Sequence, residues 1–122
     1  MNAILSIKPE FVAEIVAGRK RYEYRKTVFK QRVEKVYVYA SSPVSRIVGE
    51  FQPVDVLEGE PDDIWNKTKK FSGITKKFYD AYFVGKDVAY AIVIQNFVLY
   101  DEAVRLPDGV KAPQSYLYID KI

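Results

Sequence analysis

The chain contains no cysteine and no histidine, and only one tryptophan and one methionine. Without thiols or imidazoles it can form no disulfide, no zinc site of the Cys/His kind, and none of the nucleophile–base pairs built on those side chains. Long apolar runs are lacking too. The longest apolar segment, Asp87 to Leu99, is broken at Gln95-Asn96, whereas a membrane-spanning helix needs roughly 20 apolar residues. The N-terminal Met-Asn-Ala-Ile-Leu-Ser-Ile-Lys has too short an apolar run for a secretion signal, and Pro9 follows at once. The expectation is a soluble cytoplasmic protein with no membrane partner, no metal and no other cofactor.

What is present fits one globular domain spanning residues 1–122, with 48% hydrophobic and 15% aromatic residues. The net charge of +3 is unevenly spread. Ala17 to Val36 holds eight Lys or Arg against two Glu, a local +6 that leaves −3 for the rest. A basic patch on a slightly acidic body points to a localised anionic partner such as phosphate or nucleic acid. The alternative is a solvated charged face.

Ala3–Ile7 reads as an apolar strand, and Pro9 suits the first turn of a helix in which Phe11, Val12, Ile15 and Val16 share one face. Gly18 is placed to cap that helix. Lys35–Tyr39, Arg46–Val56 (bent near Gly49 and Pro53) and Tyr116–Ile119 read as strands, and Asp87–Leu99 as a buried one. Pro61 to about Lys70 and a helix capped by Thr75 and ended by Gly85 complete the set. The second of these carries Phe78, Tyr79, Tyr82 and Phe83 on one aromatic face. About six strands and two or three short helices predict an α+β fold, a small and mostly antiparallel β-barrel.

The densest chemistry lies in Gly18-Arg19-Lys20-Arg21-Tyr22-Glu23-Tyr24-Arg25-Lys26. Strand alternation from Tyr22 places Tyr22 and Tyr24 on one face and sets Glu23 between Arg21 and Arg25 on the other. The spacing Gly18-x-Lys20-x-x-Glu23-x-Arg25 resembles the signature of the ASCH domain family. Further similarity lies in Ser6-Ile7-Lys8-Pro9, Tyr39-Ala40-Ser41-Ser42-Pro43, Gly73-Ile74, Tyr82-Phe83-x-Gly85 and Ala112-Pro113-Gln114-Ser115-Tyr116.

That resemblance implies a PUA-like barrel with a cleft where the signature residues meet. It also implies RNA or a nucleotide as partner, and a role in RNA metabolism, translation or its regulation. Some members are hydrolases that deacetylate acetylcytidine through a Lys, a Thr and a Glu, and ribonuclease activity is also associated with the family. The hydrolase lysine corresponds to Lys20, but the threonine position is held by Glu23 here. An enzyme on either substrate would use Lys20 and Glu23 as its catalytic pair, an RNA- or nucleotide-binding protein would use the same cleft for binding alone, and a protein-interaction module would dock a partner on the aromatic helices.

For nucleic-acid binding the candidates are Lys8, Lys20, Arg21, Glu23, Arg25, Lys26, Ser41, Ser42, Gln114 and Ser115. Cations would hold phosphates, and Arg is suited to base edges. Glu23 can accept from a base amino group or act as a general base, or simply orient Arg25 by ion pairing. Ser41 and Ser42 also suit a plain turn. Trp65 can stack a base or fill the core. The run Lys67, Lys69, Lys70, Lys76 and Lys77 can track a phosphate backbone or remain solvated.

Overall fold

The structure, a computed structural model, describes residues 1–122. In chain order the elements are β1 (Asn2–Ile7), α1 (Pro9–Val16), β2 (Tyr22–Arg25), β3 (Lys35–Ala40), β4 (Arg46–Gly59), α2 (Pro61–Thr68), a 3-10 turn (Lys69–Phe71), α3 (Lys76–Tyr82), β5 (Ala89–Val104) and β6 (Tyr116–Ile119). The strands form one six-stranded sheet in the order β2-β5-β4-β3-β1-β6. β1 and β3 run parallel; every other neighbouring pair is antiparallel. The sheet is thus mixed but mostly antiparallel, and it curls into a half-barrel.

Local chemistry explains the element ends near the N-terminus. Pro9 occupies the first turn of α1, where its missing N–H costs no hydrogen bond. Gly18 stops the helix at φ +80°, and the N–H groups of Gly18 and Lys20 close back onto the carbonyls of Ile15 and Glu14. Thr75 caps α3 by accepting from the Phe78 N–H at 3.1 Å.

Apolar residues of the curled sheet bury against α1 through Leu5, Val36, Val38, Phe51, Ile92, Val12 and Ile15. A second cluster joins Tyr24, Ala89 and Ala91 to Ile64, Tyr79 and Phe83 of the helical side. Trp65 packs on it with its ring 4.8 Å from Tyr79, so the lone tryptophan serves the core.

Three elements differ from expectation. β4 runs on to Gly59 with register shifts on both sides of Glu50 and after Pro53, so the expected bends are accommodated inside the ladder. β5 continues through Gln95-Asn96 to Val104, because Asn96 absorbs the break at φ +55°. Its outer half is not buried: Val98 is 53% and Leu99 50% exposed. The helix from Pro61 ends at Thr68, and the 3-10 turn carries the chain to Phe71. No helix is long and apolar enough to cross a membrane.

Candidate functional site

β1, α1, β2 and α3 converge on a pocket of about 260 Å³. Its walls are apolar and aromatic (Ile7, Phe11, Ile74, Phe78 and Tyr82), and Lys20, Glu23 and Arg25 form its charged floor. All three charged residues are buried, Lys20 to 2% exposure. Ionised side chains are almost never buried unless paired, and here the pairing is mutual. Glu23 Oε1 lies 3.6 Å from Lys20 Nζ, and Glu23 Oε2 lies 2.8 Å from Arg25 Nη2 and accepts from Arg25 Nε at 3.0 Å. One carboxylate between two cations leaves the floor with an excess positive charge in a water-poor setting.

The two cations play different parts. Arg25 donates to the backbone carbonyls of Ser6 at 2.5 Å and Ser115 at 3.3 Å. Together with Glu23 these partners occupy most of its five donors. Arg25 thereby ties β2, at one edge of the sheet, to β1 and the segment leading into β6 at the other. Its guanidinium latches the curled sheet as much as it charges the pocket. Lys20 is less committed. Its Nζ donates to the Ser72 carbonyl at 3.1 Å and sits 4.8 Å from the Tyr24 ring centre and 5.6 Å from that of Phe11. Burial pushes its ammonium below the ordinary 10.5, while Glu23 pulls the other way. A lysine with a softened proton and spare donor capacity can hold an anion or exchange a proton.

Gly73 makes room for this lysine. A Cβ at Gly73 would collide with the Lys20 Cβ and Cγ, and the residue sits at φ +66°. Ser72 fixes the turn by donating its hydroxyl to the Ile74 carbonyl and accepting the Ile74 N–H. Behind the pocket, Tyr24 donates to Thr68 Oγ1 at 2.7 Å, since the Thr68 proton is already given to the Ile64 carbonyl. Burial raises the Tyr24 phenol to about 12, and it also raises that of Tyr82 at the pocket wall.

The remaining candidates are placed as follows. Lys8 stands at the rim with its Nζ 5.2 Å from the Phe78 ring, and Gln114 lines the pocket. Ser115 contributes its carbonyl to Arg25. Lys26 is exposed, its Nζ 4.6 Å from the Tyr82 ring. Ser41 and Ser42 lie outside the pocket lining, and the Ser41 N–H closes onto the Ile7 carbonyl at the end of β1.

Arg21 does not flank Glu23. It stacks on Phe71 with its guanidinium carbon 4.0 Å from the ring centre, while its N–H donates to the Phe71 carbonyl. Strand alternation does not continue back from β2 through Arg21: Lys20 bridges Ser72 before β2 begins and meets Glu23 three positions on, while Arg21 turns out onto Phe71. The acid therefore lies between Lys20 and Arg25, and Tyr22 and Tyr24, expected to share a face, both pack on the second core cluster. Of the aromatic face on α3, Tyr79 and Phe83 are core while Phe78 and Tyr82 line the pocket.

Sequence reasoning passed over Phe11 as a pocket wall, the Ser72 carbonyl and the packing need for Gly73. Only Gly73 left a signal, as an interruption between two helices. A roomier groove of about 560 Å³, between the β2–β3 loop and β4, contains no buried ionisable side chain. No three carboxylates gather as a metal-holding group.

The segments that meet at this pocket are also those over which the chain matches known proteins. Residues 5–98 match the model of the ASCH domain. The chain belongs to the ASCH domain family. It is 37% identical over 102 residues to large ribosomal subunit protein uL22 of Ureaplasma parvum serovar 3, covering 82% of this chain but only 33% of that protein. The chain thus spans about a third of that relative's length. An ASCH domain-containing ribonuclease of Zymomonas mobilis is 23% identical over 98% of this chain and 85% of its own length. The crystal structure of an ASCH protein from Zymomonas mobilis superposes with a TM-score of 0.89 at 23% identity, covering 98% of this chain and 88% of the other. A point mutant of the same protein gives 0.90 at 22% identity, covering 98% and 91%. That likeness bears out the PUA-like α+β fold.

Proposed function

We propose that this ASCH domain binds RNA, taking one base or nucleotide into the pocket above Lys20, Glu23 and Arg25. The observation that carries the reading is the buried, ion-paired floor under aromatic walls. Aromatic rings stack any base, a carboxylate accepts from an amino edge, and the surplus cation attracts phosphate. Pockets for drug-sized ligands measure about 300–1,000 Å³, and 260 Å³ is suited to a single nucleoside unit. Relatives named for the ribosomal subunit and for RNA cleavage add support. A role in RNA metabolism or translation follows from the same reading.

Fluorescence anisotropy with short labelled RNAs and competing nucleoside monophosphates tests it. Hydrogen bonds to charged groups contribute about 1.5–3 kcal/mol, so Lys20→Ala and Glu23→Gln should each weaken binding about tenfold or more. Affinities equal to that of the unaltered chain in both variants would sink the proposal.

A second reading, RNA cleavage, is favoured by the ribonuclease relative, which matches nearly the whole chain. Lys20 would stabilise charge on the phosphate or move a proton, with Glu23 as its partner. Labelled RNA incubated with purified protein decides it: cleavage lost in Lys20→Ala supports an enzyme, and intact RNA at high protein concentration leaves a binding module.

A further inference from the structure

Beside the pocket, and separated from it by Gly73 and Ile74, runs a shallow groove of about 460 Å³ floored by the Lys69–Phe71 turn and walled by Arg19. A depression of about 510 Å³ connects the two. It shares Phe11, Ile74 and Phe78 with the pocket and Glu14, Gly73 and Thr75 with the groove. We infer that this groove holds the phosphate backbone of the strand leaving the pocket, so that the ligand is a single-stranded oligoribonucleotide and not a free nucleotide. The inference rests on the RNA-binding reading above and extends it to a second site.

Charge is the first argument. Lys69, Lys70 and Arg21 are exposed and belong to none of the ion pairs in the chain, whereas Arg19 in the groove and Lys76 on α3 each pair with a carboxylate. Two of these three unpaired cations gather around one ring. Arg21 stacks on Phe71 at 4.0 Å and Lys70 Nζ lies 5.8 Å from the same ring centre. Like charges this close repel one another, and no acid offsets them. The acids nearby are accounted for. Glu14 is bound by Arg19 through both carboxylate oxygens, and Glu10 lies on the connecting depression, outside the groove. A polyanion supplies the missing counter-charge.

Aromaticity and connection are the others. Phe71 with its stacked guanidinium offers a flat platform of the kind on which successive bases stack. The groove is also wired to the pocket floor, because Lys20 Nζ donates to the Ser72 carbonyl and the Arg21 N–H donates to the Phe71 carbonyl. A strand in the groove therefore lies one residue away from the buried lysine on both paired segments. Of the five lysines in this run, the geometry selects Lys69 and Lys70. Lys76 is paired with Asp80 at 2.7 Å, and Lys67 and Lys77 line no part of the groove.

The test compares a labelled RNA of about eight nucleotides, within the roughly 4–16 covered by small single-strand-binding folds, with a nucleoside monophosphate. Each phosphate contact on a single strand adds about 0.7 to the slope of log affinity against log salt. Lys69→Ala combined with Lys70→Ala should therefore flatten the octamer's slope by about 1.4 and abolish most of its advantage over the monophosphate. Both lysines are exposed, and circular dichroism checks that the double variant is folded. An octamer no tighter than the monophosphate, or an advantage and slope that survive the double substitution, overturns the groove while leaving the pocket intact. If Lys20→Ala leaves octamer binding unchanged but the double variant reduces it, the groove stands and the pocket reading fails. Absence of binding by either ligand overturns both.

Discussion

Gly73 is hydrogen where Lys20 passes: any side-chain carbon at Gly73 would occupy the space of the Lys20 Cβ and Cγ. The two residues lie on segments far apart in the chain, joined by the Lys20–Ser72 bridge. Gly73→Ala should therefore act on the lysine as well as on the backbone. The left-handed conformation alone costs alanine about 1–2 kcal/mol, and displacement of Lys20 adds to it. The expected outcome is a lowered thermal midpoint together with RNA affinity reduced as far as in Lys20→Ala. Gly18→Ala, also at positive φ but with open space around it, should cost stability with little loss of binding.

Removing Arg25 should be far more damaging to the fold than removing Lys20. Arg25→Ala strips Glu23 of its closest cation and frees the carbonyls of Ser6 and Ser115. Breaking a buried pair on one side costs about 3–5 kcal/mol, readable as a fall in the urea midpoint. Arg25→Lys should recover little, since an ammonium cannot reproduce the planar fork that reaches three partners. Lys20→Met leaves Glu23 paired with Arg25 and should shift the midpoint much less.

The pH dependence of binding should report Lys20. Its ammonium is held below 10.5 by burial, so it loses its charge at a lower pH than an ordinary lysine. Affinity for an anionic ligand is then expected to fall on the alkaline side before pH 10.5, and the fall should be absent in Lys20→Met. For stability the sign is opposite. The cost of burying the charge is present at neutral pH and is relieved as pH rises through the lowered value. Titrations at several pH values, with parallel urea melts, separate the two.

Tyr24 gives an alkaline limb of its own. Its phenol titrates near 12 in the fold against an ordinary 10.0, so the neutral form favours the native state. That contribution is complete below pH 10 and is lost as pH climbs from 10 through about 12. Tyr24→Phe should cost about 1 kcal/mol at neutral pH through the lost bond to Thr68. Its stability should also decline less steeply above pH 10.

How far the sequence alone leads is clear from particular residues. Gly18, Pro9 and Thr75 act through short-range geometry, and each stands where its chemistry predicts. The Val- and Tyr-rich strand from Lys35 is equally plain. The outer half of β5 is not, because Asp101 and Glu102 look like loop residues when the strand is solvated on both sides. Arg21 is not beside Glu23, because the alternation of β2 stops at Tyr22 and does not extend back through it. The bridge to Ser72, more than fifty positions away, sets the facing of Lys20. Gly73 and Phe71 matter through contacts that no local pattern encodes.

β1 and β6 lie side by side, with Asn2 opposite Ile119 and the Asn2 amide donating to the Asp120 carbonyl at 2.5 Å. β6 thus closes beside β1, and every residue of the pocket lies between these two strands in the chain or on β1 itself. The order in which the strands are strung is separable from their arrangement in space. A short peptide joining residues 2 and 120, with the chain reopened at the exposed Asp108-Gly109 turn, would keep Lys20, Glu23 and Gly73 in register. The pocket depends on which strands lie side by side and not on the order in which the chain visits them.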